Sequence, residues 1–336
     1  MDGKIIKRVN SLKQIGLTLT RNMTWDSHIE NKHTKAMKKV TLLKLLPPNI
    51  PRNTRRQIYI SFIRPLIEYA NVIIDNCSEK ADQMMEKIQR QAALAITRAY
   101  KHTKHTDLLK HTGLTSLKQR RHNSKLTLIY KIRNNLTPKY LRDLIPNTRQ
   151  NRPNTRNRNN ISTIKTKKDY MQKSTIPSSI NLWNKLSVPL RTKPTISAFK
   201  SELKKGHHTE FYKPYLQGIL NGHINLSRIR MGLSGLNAHR FRYNFIPTRR
   251  CPTCDHPNED TTHYLIFCPT YAAQRTAMFA SLVGVRPETQ NLTRNLNNAN
   301  AMKIIEMLVN GTKNEKEDVI IFDIASKYIE NTKRFL

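Results

Sequence analysis

Cys251, Cys254, His263 and Cys268 stand in the spacing C-x2-C-x8-H-x4-C. Two cysteines two residues apart make a tight turn that presents both thiolates to one ion. The histidine and the third cysteine close the set after an eight-residue loop. Zinc takes four soft or borderline ligands in a tetrahedron, and Cys3His is one of its structural sets. The chain has four cysteines, and three of them fall within these eighteen positions. Ordinary buried thiols are the competing reading, since free cysteine is a common core residue, but the clustering weighs against it. His256 is a rival ligand. Lying two residues after Cys254, it would close too small a ring, which favours His263. Four protein ligands leave no open position, so the expected cofactor is a structural Zn2+ with no water to activate.

The elements that must carry this site belong to a long and very basic chain. Its 336 residues suggest two or three compact units, and 38% hydrophobic residues is enough to bury their cores. Lys+Arg 59 against Asp+Glu 23 gives a net charge of +36, which attracts polyanions, nucleic acid first among them. An anionic membrane is the rival partner. The sequence has no lipidation signal, no long basic amphipathic anchor and no run of about eighteen apolar residues, so no membrane contact is expected. The first residues lack the apolar core of a signal peptide. Cys77 has no evident disulfide partner, and a reducing compartment fits, nucleus or cytoplasm.

Residues 12 to 19 alternate and read as one strand bent at Gly16. A lone strand must pair with something, so it looks like the cut edge of a larger sheet. Helical periodicity follows from Ser27 to Leu46, stopping at Pro47-Pro48. A second helix over 53–75 presents Ile58, Phe62, Leu66, Tyr69 and Ile73 on one face, with Pro65 expected to kink or split it. A third runs from Glu79 to Tyr100 through Met84, Ile88, Ala92, Ala95 and Ile96. A fourth, capped by Ser116, runs to Asn134. Arg and Lys are expected on the outer faces of this helical unit.

Residues 147 to 168 carry Arg149, Arg152, Arg156, Arg158, Lys165, Lys167 and Lys168 with no acidic residue. So few apolar anchors cannot fold alone; the stretch reads as a flexible linker able to lie along phosphates, or as a solvated tether. Beyond it, Trp183 and Phe199 read as core anchors of two short helices. Arg228, Arg230, His239, Arg240 and Arg242 then surround Leu226, Ile229, Leu233 and Leu236, and Arg249 and Arg250 touch the cysteine cluster. A short helix is expected past Pro269 and an Asn-rich loop at 290–300. The last stretch, 301–336, balances six basic with six acidic residues and reads as a structural cap. The expected fold is mainly α, divided as a strand remnant at 1–26, a helical domain at 27–146 and a basic flexible linker at 147–175. A basic helical region at 176–245, a CCHC zinc-binding region at 246–285 and a helical cap at 286–336 complete it.

A set of motifs in fixed order adds to this. They begin with Val9-Asn-Ser-Leu12-Lys13-Gln14-Ile15-Gly16-Leu17, then Met23-Thr24-Trp25 with His28-Ile29, then Phe62-Ile-Arg64-Pro65-Leu-Ile-Glu68-Tyr69-Ala70. Leu182-Trp183-Asn184-Lys185-Leu186, Ser197-Ala198-Phe199-Lys200 and Arg228-Ile-Arg230-Met-Gly232 follow, the last leading into the CCHC cluster. In this order the chain resembles the C-terminal part of a non-LTR (LINE-type) retrotransposon reverse transcriptase, over most of its length. The resemblance implies that the first motif is the palm strand that grips a primer terminus and that the Arg64-Pro65 helix belongs to a thumb. Gln14 stands where the family usually has Tyr, and Leu233 replaces a common His. Polymerases of this kind hold two metals with a carboxylate cluster that includes an Asp-Asp turn, and this chain has no Asp-Asp pair. The polymerase and endonuclease sites are therefore expected upstream of Met1, making the chain a fragment that is not an enzyme on its own.

The expected function is binding of template RNA and target DNA, mainly through phosphates, alongside the absent polymerase and endonuclease portion. The residues expected to contact nucleic acid are Lys13, Arg64, Arg152, Arg156, Arg158, Arg228, Arg230, Arg240, Arg242, Arg249 and Arg250. A host zinc protein acting through protein contacts, or an element relic without activity, are the alternatives.

Overall fold

A computed structural model describes residues 9–146, 160–205, 211–218 and 221–335. The chain is mainly α, and its one sheet among the described residues has two strands. No helix among the described residues is long and apolar enough to cross a membrane. Packing forms two compact units. One is built from 9–39, 61–89, 115–146 and 160–205, the other from 40–60, 90–114, 211–218 and 221–335. This division cuts across the expected boundaries, since both 27–146 and 176–245 contribute to each unit.

In the first unit, residues 11–20 are a hairpin rather than a single bent strand. β1 (Ser11–Gln14) pairs antiparallel with β2 (Leu17–Thr20), Gln14 opposite Leu17. Ile15 and Gly16 both have positive φ, 47° and 74°, as a two-residue turn of the type that matches strand twist requires. Periodicity alone read through that turn. The hairpin tip is held by Tyr69, whose hydroxyl donates to the Ile15 carbonyl at 2.6 Å. One pair in from the tip, the Thr18 amide donates to His28 Nδ1 at 3.3 Å.

The helix of 53–75 is split, as Pro65 demands. It runs as Arg52–Ile58, a π-turn at Tyr59–Ile63, and Arg64–Glu68. The π-turn adds a residue between the two α segments. Tyr59, Ile63 and Ile67 are buried, while Phe62, Tyr69 and Ile73 are exposed. The face expected at Ile58, Phe62 and Leu66 was thus off by one residue, whereas in Glu79–Thr97 four of the five expected residues, Ile88, Ala92, Ala95 and Ile96, are buried, with Met85 in place of Met84. The basic residues are not all on outer faces either. Lys32 is buried and donates to the Tyr69 carbonyl at 2.6 Å, capping the end of the Arg64–Glu68 helix; burial lowers it to about 8. Arg121 and Lys125, also buried, converge on Asp75, with Asp82 as Arg121's second partner.

Ser116 caps Leu117–Arg133, accepting from the Gln119 amide at 3.2 Å. Against this helix pack Thr175–Asn184 and Ile196–Lys205. Tyr130 stacks on Phe199 at 4.6 Å between centroids, and Trp183 lies 5.7 Å from the same ring. Part of the stretch read as a linker belongs to this core. Ile161 is buried there, and its amide and carbonyl are clasped by the Asn184 side chain at 3.0 and 2.9 Å.

In the second unit, Asn221–Arg230 crosses Glu315–Asn331 at Gly222, where a Cβ would meet the Ser326 carbonyl oxygen at 2.2 Å. Only glycine permits that approach. Leu226, Ile229 and Leu236 join Tyr264, Ile304, Phe322 and Tyr328 in one core. The expected loop at 290–300 contains a helical turn, Gln290–Arg294, before Asn297 caps Asn298–Asn310.

Candidate metal centre and the arginine-rich approach to it

The Cys251–Cys254 turn is fixed by two backbone bonds. The Asp255 amide donates to the Cys251 carbonyl at 3.0 Å, and the Cys251 amide to the His256 carbonyl at 2.8 Å. Asp255 takes a positive φ of 58°, tolerable for a short polar side chain. His263 opens a π-turn, His263–Phe267, and its amide donates to Asp260 Oδ1 at 2.8 Å. That turn returns the chain so that the Cys268 amide meets the His263 carbonyl at 2.7 Å.

The ligand atoms of Cys251, Cys254, His263 and Cys268 all lie within 4.8 Å of one another. Cys254 Sγ is 3.7 Å from Cys268 Sγ and 3.3 Å from His263 Nε2. A tetrahedral ion with metal–sulfur bonds of about 2.3 Å sets its sulfurs about 3.8 Å apart. The four residues therefore fit one metal ion at their centre. Cys251, His263 and Cys268 are buried and Cys254 is half-buried. The Thr253 hydroxyl sits 3.2 Å from Cys251 Sγ and 3.7 Å from Cys268 Sγ. His256 is not part of the set. Its ring stacks on His263 at 4.2 Å, with Nδ1 held 3.0 Å from the Asn258 carbonyl.

Burial pushes the Cys254 thiol up to about 11. At Cys251 burial acts the same way, but the Thr253 hydroxyl and the amides of Thr253 and Cys254 outweigh it and hold the thiol below its usual range. Burial, with His256 beside it, keeps His263 neutral below its ordinary value, the form that ligates.

The loop carrying these ligands is anchored from a distance. Glu259 is fully buried and takes both Arg334 Nε and Nη2 at 2.6 Å, with the Asn237 amide at 2.7 Å. Nothing in the sequence links residues 259 and 334, so this clamp was invisible there. Arg275 adds a bond to the Cys268 carbonyl at 2.9 Å.

The arginines expected to meet phosphate separate into two groups. Arg228 lies over Tyr100 at 4.1 Å and donates to the Arg98 carbonyl at 2.9 and 3.1 Å. Arg230 lies over Tyr215 and Phe322 at 4.1 and 4.6 Å and donates to the Val309 carbonyl at 2.5 Å. Both guanidinium groups are committed to the protein's own aromatic rings and carbonyls, which moves them from the contact set to the scaffold. Arg240, Arg242, Arg249 and Arg250 are exposed on the segment that enters the metal site. Arg249 rests over Phe241 at 4.6 Å, and Arg250 pairs with Asp255 at 2.9 Å. In the other unit Lys13 is exposed on β1, and Arg64 is half-buried beside Glu68 at 3.8 Å. Arg152, Arg156 and Arg158 lie outside the described residues. No protein-family model matches this chain, and no curated protein or solved structure is significantly similar to it.

Proposed function

We propose that this chain binds nucleic acid through its phosphates, with a structural zinc at Cys251, Cys254, His263 and Cys268 holding the arginine-bearing segment 240–250. One observation carries the reading. Arg240, Arg242 and Arg249 are exposed, have no carboxylate partner among the described residues, and lead directly into the fitted metal site. Phosphate contacts of this kind position a duplex or strand without specifying its sequence. The ordered motifs that resemble a non-LTR reverse transcriptase support the same reading and name the ligands as template RNA and target DNA. The reading gives this chain no polymerase chemistry. Glu259 is consumed by Arg334, and Asp318 by the Thr312 and Lys313 amides and the hydroxyls of Thr312 and Tyr212.

The test is a salt series on a DNA duplex and an RNA strand. Affinity falls with salt with a slope of about −0.9 per phosphate contacted on a duplex. Replacing Arg240, Arg242 and Arg249 by Gln is expected to flatten the slope, whereas Arg228→Gln costs stability and leaves the slope intact. An unchanged slope in the triple variant contradicts the proposal.

A further inference from the structure

The approach segment carries more than charge. The helix Asn237–Arg242 ends with Asn244 at positive φ, 57°. The Asn244 amide donates to the Phe241 carbonyl at 2.9 Å and the Phe245 amide to the Arg240 carbonyl at 3.0 Å. These paired bonds are those of a left-handed helix stop, and they turn the chain sharply after Tyr243. The turn leaves Phe245 47% exposed, with Tyr243 nearly parallel to it at 6.1 Å and 22°. The exposed His102 tilts against the same ring at 5.3 Å. A large aromatic left half in water beside two other rings gains nothing for the fold by its exposed face.

Along the sequence, cations flank these rings and anions do not. Arg240 and Arg242 are exposed just before them, and Lys101 and Lys104 lie exposed on either side of His102. No acidic residue occurs between Phe211 and Cys254, or between Arg98 and Thr106. Exposed π-faces beside unpaired cations match one polymer, a single strand whose bases stack while its phosphates meet arginine and lysine. A duplex keeps its base faces inside its own stack and offers only phosphates to the same surface.

We infer that Phe245, Tyr243 and His102 form a base-stacking platform that makes this unit prefer single-stranded nucleic acid. The inference rests on the nucleic-acid reading above and adds to it the strand state and the stacking residues.

The experiment measures binding of the full zinc-loaded chain to labelled oligothymidine, to an abasic strand of equal length and to a duplex. The wild type is expected to bind oligothymidine more tightly than the abasic strand. Phe245→Ala is expected to weaken oligothymidine binding by about 5- to 100-fold while leaving the abasic strand and the duplex within about 2-fold of wild type. Phe245→Trp, which keeps a ring, should restore oligothymidine binding, and retained zinc content shows that each variant has folded. Equal losses on all three probes, or no loss on any, overturn the platform but leave the phosphate reading standing. Failure of the wild type to bind any probe at low salt overturns both.

Discussion

Arg334 and Glu259, 75 residues apart, face each other in a two-point ion pair that ties the chain's last turn to the metal loop. Glu259 is fully buried and the Arg334 side chain is 13% exposed, so the carboxylate has no water as an alternative partner. Each also serves backbone, Glu259 taking the Asn237 amide and Arg334 reaching the Gly235 carbonyl at 3.3 Å. The segment between the approach helix and the metal site is thereby fixed from the C-terminal end.

Breaking this pair on one side strands a buried carboxylate. Arg334→Met is expected to destabilise the unit by about 3–5 kcal/mol, the usual cost of a half-removed buried pair. Removing both charges with Glu259→Gln added should recover part of that loss. Urea unfolding of the four species in a double-mutant cycle checks it, and additive losses would show that the two residues act independently.

Gly222 offers a test with an unambiguous sign. At an open helix position Gly→Ala stabilises by roughly 0.5–1 kcal/mol. Here the new methyl meets the Ser326 backbone carbonyl at 2.2 Å, which no rotamer can relieve. Gly222→Ala should therefore destabilise by about 1–3 kcal/mol, as overpacking does. Ser326→Ala should fail to rescue it, because the obstacle is backbone. A stabilised Gly222→Ala protein would show that the two helices do not cross there.

Several histidines make the fold sensitive to acid. Burial holds His111 well below 6.5, with Arg230 and Arg52 adding repulsion, and burial lowers His28, His223 and His239 as well. The unfolded chain binds protons near pH 6.5 that the folded chain refuses, so stability is whole above that pH and falls as pH drops below it. His111 stacks on Tyr215 at 5.1 Å, and His111→Phe keeps the ring while removing the titration. Between pH 6.5 and 5 the wild type should lose up to about 1.4 kcal/mol per pH unit more than this variant. Parallel pH profiles of the two proteins would contradict the assignment.

How much of this was legible in the sequence follows from how local each signal is. The metal ligands lie within one short loop, and ligand spacing constrains them without help from the rest of the fold. The anchors Trp183 and Phe199 were also legible, because large apolar groups at helical spacing have one destination. Arg228 and Arg230 were not, since a guanidinium meets water or a ring depending on partners such as Tyr100, Tyr215 and Phe322 that arrive from distant segments. The face around Phe62 slipped by one residue, because apolar side chains adjoin one another there and periodicity does not choose between Ile58-Phe62-Leu66 and Tyr59-Ile63-Ile67. Ile15 carried no warning of the hairpin turn, for a β-branched residue seldom takes positive φ. The rings at Tyr243 and Phe245 were visible in Arg-Phe-Arg-Tyr-Asn-Phe, but their exposure was not.

Oligonucleotide affinity, measured at one salt concentration on zinc-loaded and zinc-stripped chain, decides most directly whether the metal site organises a nucleic-acid surface. Thiolate ligation couples zinc to local folding, so stripping should loosen the segment that presents Arg240, Arg242 and Arg249. One zinc per chain is expected in the loaded protein, with affinity falling at least about 10-fold on stripping, equivalent to about 1.4 kcal/mol, and returning when one equivalent of zinc is restored. Equal affinity with and without the metal, or a purified chain that folds fully and takes up no zinc, would contradict it.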